Sequence, residues 1–145
     1  MRRRTCLVIA FVFFTLSLPA QCTDYQSEMQ NVESSASVAI KNIKKAVQAA
    51  KLEDGQRSLD KVISQAEAMI KSINLAKEYA SDCGCSEGTN TATLLLAAVS
   101  DLLAQTKDAA DQGVLSEQKE AIKKLTPLVQ GIKDQASDGL SYCFQ

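Results

Sequence analysis

Four amphipathic segments, cysteines placed only at their outer ends, and a core short of aromatic residues predict an all-α, antiparallel up-down four-helix bundle with disulfides at one end. Within the mature chain the only aromatics are Tyr25, Tyr79, Tyr142 and Phe144. The interior must therefore be built from Ala, Leu, Ile and Val, which favours close helix packing over a roomy pocket.

The chain opens on Arg2-Arg3-Arg4 and an apolar run from Cys6 to Leu18, closing on Pro19-Ala20. A positive head, an apolar middle and a small residue at the cut describe a secretory signal peptide over residues 1–20. The run is shorter than the roughly 20 residues that cross a bilayer, and polar Gln21 follows it, so a retained membrane anchor is not expected. Residues 21–145 then form a single domain of about 125 residues, enough for one core but not two.

The first mature helix is expected near 24–52, with apolar residues from Tyr25 through Met29, Val32 and Ile43 to Ala50 in steps of three and four. Asp54-Gly55 is read as its interruption. A second helix follows on Leu59, Val62, Ala66, Met69, Ile73 and Ala80, and then the loop Ser81-Asp-Cys-Gly-Cys-Ser-Glu-Gly88. Thr89-Asn90-Thr91 offers capping side chains for a third helix through Leu95, Val99 and Leu102, with Gly113 just past its end. Ser116 is the expected cap of a fourth, which buries Ile122, Leu125, Val129 and Ile132. Pro127 falls inside it, and a kink or a split into two shorter helices is expected there.

Removing residues 1–20 leaves Cys22, Cys83, Cys85 and Cys143, an even set that implies two disulfides in an oxidising compartment. Bridging Cys83 to Cys85 would close too tight a ring. In an up-down bundle Cys22, the 81–90 loop and Cys143 all lie at the same end, so the loop staples both chain termini. Cys22–Cys83 with Cys85–Cys143 and the crossed alternative both satisfy this. Cleavage after Cys22 instead would leave an odd thiol and point to a covalent dimer; with the even set a monomer is expected.

With no histidine in the chain, Ser/His/Asp and Cys/His catalytic sets are excluded, and a lone Cys-x-Cys without a second close pair does not make a zinc site. The carboxylate pairs Asp108/Asp111 and Glu53/Asp54 fall at exposed positions or helix ends. Neither enzyme activity nor a cofactor or metal is expected. The mature chain has 13 basic and 17 acidic side chains, a net charge of −4, which does not suit nucleic acid. Lys41, Lys44, Lys45 and Lys51 line part of the first helix, and Lys119, Lys123 and Lys124 cluster on the fourth. Each group reads first as a solvated helix face and second as a contact surface for an acidic partner or anionic polymer. Tyr142 and Phe144, beside the last cysteine, either plug the end of the bundle or anchor an interface.

The signal peptide, Gln21-Cys22-Thr-Asp-Tyr25, the helical span of about 120 residues, the Cys83-Gly-Cys85 loop and terminal Cys143 together resemble the anophensin and albicin family of Anopheles mosquito salivary proteins. The resemblance spans the mature chain and rests on layout. It implies a secreted protein that blocks a host plasma cascade, complement or contact activation, by binding proteins rather than by catalysis. Plant invertase and pectin methylesterase inhibitors are also secreted four-helix bundles with two bridges, but they place a close cysteine pair in an N-terminal hairpin, where this chain has only Cys22. A small apolar-ligand carrier, as in insect odorant-binding proteins, and a secreted structural protein are the competing expectations; the Ala-rich core and four rather than six cysteines argue against the carrier.

Overall fold

Apolar or small residues recur at alternating steps of four and three along every helix, and this repeat generates the architecture. The computed structural model describes residues 20–143, which form α1 (Ala20–Gln48), α2 (Leu52–Asp82), α3 (Ser86–Ala110) and α4 (Leu115–Gly139). In α1 the buried positions run Tyr25, Met29, Val32, Ala36, Ala39, Ile43, Ala46, and the same alternation continues through α2, α3 and α4. A seven-residue repeat drifts slowly around a 3.6-residue helix, so keeping it buried over four turns or more requires the helices to coil left-handedly about one another.

Contacts between helix ends give the directions. The start of α1 meets the end of α2 through Cys22–Cys83, and the start of α3 meets the segment just after α4 through Cys85–Cys143. At the other end Gln56 of α2 donates to the Ala110 carbonyl of α3. Successive helices are therefore antiparallel. Each packs on the next, α4 returns against α1, and the diagonal contact between α2 and α4 is slight.

Three expected boundaries move. The first helix stops at Gln48 rather than near 52, and Asp54-Gly55 lies inside the first turn of α2. Glu53 and Asp54 there complement the positive end of the helix dipole. Gly55 occupies a buried repeat position, where a Cβ would come within 2.1 Å of Oε1 at the tip of the Gln118 side chain across the bundle. α3 starts at Ser86, capped by Cys85 rather than by the Thr89–Thr91 group, and α4 starts at Leu115 after Val114 rather than at a Ser116 cap.

α4 is a single helix through Pro127, so the expected split does not occur. Pro127 lies on the exposed outer face, where water can reach the carbonyl that its missing N–H leaves free. The predicted signal peptide lies outside the described residues except for Ala20, which begins α1. Among the described residues no helix is long and apolar enough to cross a membrane.

Candidate functional site

Two regions collect the residues singled out from the sequence, one at each end of the bundle. At the first, the loop between α2 and α3 resolves the cysteine pairing: Cys22 bonds Cys83 and Cys85 bonds Cys143, across 61 and 58 residues of chain. Gly84 makes this possible. Its positive φ of 74° closes α2, with Cys85 N–H donating to the Ala80 carbonyl and Gly84 N–H to the Ser81 carbonyl. That is the paired-bond ending for which glycine is the least strained residue. Cys85 then caps α3, its sulfur accepting from Gly88 N–H at 3.4 Å. One cysteine thus ends a helix and the next begins one, and each sulfur is left to hold a different terminus.

The bundle's plug at this end is Tyr25, which the sequence placed only as one apolar position among many. Its ring is fully buried and its hydroxyl donates to the Gly139 carbonyl at 3.1 Å. Burial, and secondarily the nearby Tyr142, push its pKa up to about 12. Gly139 is small because a Cβ would meet Met29 Cε at 2.7 Å and Tyr25 Oη at 3.2 Å. Tyr142 remains 39% exposed and lines a shallow depression of about 260 Å³ with both disulfides, Gly84, Ser86 and Glu87. Phe144 lies outside the described residues.

The second region is at the opposite, unbridged end. Lys41, Lys44 and Lys45 are all exposed on α1, as are Lys123 and Lys124 on α4, while Lys119 is half-buried. Because α4 packs beside α1, the two lysine groups, more than 70 residues apart in sequence, occupy one side of the molecule. Among the described residues the ion pairs are Arg57–Asp54 and Lys123–Glu120, both between exposed neighbours on one helix. The other lysines of this surface have no carboxylate partner there.

Between these ends the buried side chains of the four helices pack into one hydrophobic cluster. The depressions on the surface are open and range from about 260 to 380 Å³. The carboxylates of Asp108, Asp111, Glu53 and Asp54 are exposed. No group of His, Cys, Asp and Glu among the described residues has the arrangement of a metal site. Among the described residues the buried polar side chains are Asn42, Thr91, Thr106 and Gln118: Asn42 donates to the Val38 carbonyl and Thr106 to the Leu102 carbonyl, each within its own helix, whereas both amide atoms of fully buried Gln118 lack a partner. No protein-family model matches the chain, and no curated protein or solved structure matches it.

Proposed function

We propose that the protein is a secreted, non-enzymatic binding protein that acts by covering a surface on a protein of a host plasma cascade, in complement or contact activation. The observation that supports binding by an outer surface is the packed core: buried positions carry interlocking Ala, Leu, Val, Ile and Met side chains, and the depressions are shallow and open. Two disulfides across loops of about 60 residues fit an oxidising extracellular setting. They also leave little ordering to be completed on binding, so a docking surface keeps more of its contact energy as affinity. The cascade itself is what the resemblance to the anophensin and albicin family implies, a resemblance carried by the layout of signal peptide, cysteines and helices. An apolar-ligand carrier would need an internal chamber, whereas the depressions among the described residues are open ones on the surface.

The test adds the oxidised protein to vertebrate plasma and follows complement and contact activation separately, with a reduced and alkylated sample as control. Dose-dependent block of one pathway that is lost on reduction is the expected result. Full activation of both at micromolar protein would overturn the cascade assignment.

A further inference from the structure

The register of α1 against α4 brings the two lysine groups to one height. The Tyr25–Gly139 hydrogen bond aligns the helices at the bridged end. Lys41 to Lys45 lie 16 to 20 residues above Tyr25, and Lys119 to Lys124 lie 15 to 20 above Gly139. At about 1.5 Å per residue both groups stand some 22 to 30 Å from that bond.

Helix phase then shows which lysines meet. Ala121 and Lys124 of α4 share a depression with Gln105 and Asp108, so that flank faces α3, and the opposite flank, with Lys119 and Lys123, faces α1. Antiparallel neighbours present equivalent repeat positions to each other, as Gln56 and Ala110 do between α2 and α3. The equivalent flank of α1 carries Ile40 and Val47, with Lys44 between them on the outside. Lys44, Lys119 and Lys123 therefore border the α1–α4 seam, with Lys41 on the outer crest and Lys45 and Lys124 flanking.

The charge of the whole molecule isolates this patch. The upper quarter, made of residues 35–51 and 115–127, holds seven lysines against only Glu117 and Glu120. The rest of α1 and α4 (residues 22–34 and 128–143) holds one lysine against five carboxylates; the upper parts of α2 and α3 (52–66 and 99–114) hold three cations against six, and their lower parts (67–98) two against four. A polyanion is thus attracted by one face and repelled by the other three.

The residue types narrow the ligand. All seven cations of the quarter are lysines, and it contains no aromatic residue and no arginine. Protein interfaces deplete lysine and draw affinity from buried aromatic and arginine anchors, so an acidic protein would find little purchase here. Single-stranded nucleic acid is held by stacking on aromatics, and lipid surfaces by large apolar side chains inserted beside the cations. Hydrated lysine heads on flexible stems suit many separate point contacts along an anionic chain, with release of its counterions. On the secreted reading proposed above, which the two disulfides fit, the anionic chains within reach are sulfated polysaccharides.

We propose that the unbridged half of the α1–α4 seam is a binding site for a linear sulfated polysaccharide, seated on Lys41, Lys44, Lys119 and Lys123. The site does not depend on the cascade reading and would hold the protein to extracellular matrix or cell surfaces whatever its protein partner.

The experiment titrates the oxidised protein with a size-defined, fully sulfated heparin oligosaccharide at several salt concentrations. Lys44→Gln/Lys119→Gln/Lys123→Gln is compared with Lys61→Gln/Lys71→Gln/Lys107→Gln, which removes the same charge from α2 and α3. Five of the six lysines are exposed and Lys119 is half-buried, and circular dichroism melts verify that both variants fold. The seam variant should bind ~10-fold or more weakly, with a salt-dependence slope shallower by about two to three, while the control changes less than about twofold. A seam Lys→Arg triple should retain binding, and a desulfated oligosaccharide should not bind. Equal loss in both Gln variants, or full binding by the seam variant, would overturn the site. Equal or tighter binding to single-stranded DNA or to phosphatidylserine vesicles would overturn the ligand class. Plasma assays on the seam variant separate this proposal from the inhibitor reading, since loss of polysaccharide binding with intact cascade block keeps the two independent.

Discussion

The two ends of the bundle are built on opposite principles. At the bridged end two disulfides, the Gly84 helix ending, the Cys85 cap and the Tyr25–Gly139 hydrogen bond satisfy and fix nearly everything that meets there. At the other end no disulfide ties the described residues. The caps Lys51 and Val114 make no side-chain hydrogen bond, Gln118 lies buried without a partner, and like-charged lysines gather on one face. Order is concentrated where the chain termini need it, and uncompensated charge is exposed where a partner can supply the compensation. Opening of the fold should accordingly begin at the unbridged end.

The largest test removes the tie itself. Each bridge closes a loop of about 60 residues, and deleting one as Cys22→Ala/Cys83→Ala or Cys85→Ala/Cys143→Ala should cost about 2–4 kcal/mol in urea unfolding. Loss of either pair should also raise amide exchange at the bridged end towards that of the other. A cost under about 1 kcal/mol for both would mean that helix packing alone holds this end, and the contrast between the ends would fail.

A pair of glycine substitutions sharpens the comparison. A Cβ at Gly88 would lie 2.6 Å from Cys143 Sγ and 3.1 Å from Ala80 Cβ, atoms held by a disulfide and by backbone. Gly88→Ala should destabilise by about 1–3 kcal/mol. At Gly55 the obstacle is the tip of the Gln118 side chain, which can swing outward, and alanine gains about 1 kcal/mol of helix propensity. Gly55→Ala should therefore be close to neutral in thermal denaturation, so that the same substitution reads the rigidity of each end.

Gln118→Leu comes next. Removing a buried amide that lacks partners, while keeping a similar volume, should stabilise by about 1–2 kcal/mol. A destabilised variant would show that the amide is satisfied in solution and that this end is as well made as the other.

How far each end was legible in the sequence follows the same division. Four helices, the convergence of the cysteines and the core phase were readable, because a three-and-four repeat fixes a helix face without reference to neighbours. The pairing was not, since Cys83 and Cys85 stand two residues apart and only the Gly84 turn decides which sulfur faces which terminus. Asp54-Gly55 was misread as a break because its cause is Gln118, on another helix; the clue was that Gln118 falls four residues before Ile122, in core phase. Cys85 was missed as a cap because sulfur is not among the usual capping atoms. The lysine groups were visible singly, and their meeting needed the height at which α4 passes α1.

The smallest effect isolates the bridged end by pH. Tyr25 holds its proton to about pH 12 in the folded protein against about 10 when unfolded, because burial first and Tyr142 second disfavour its phenolate. The folded state thus binds the proton more tightly, so this contribution is complete below pH 10 and is lost as pH rises from 10 towards 12. Tyr25→Phe keeps the ring but removes the bond to Gly139, at a cost of about 0.5–1.5 kcal/mol at neutral pH. Between pH 10 and 12 the difference between the two proteins should shrink and then reverse, because there the unfolded wild-type chain is stabilised by ionising its phenol, which folding must re-protonate, and the Phe variant has no phenol to ionise. Parallel stability curves from pH 9 to 12 would show that the Tyr25 hydroxyl reaches water, and that the bridged end is looser than its two disulfides imply.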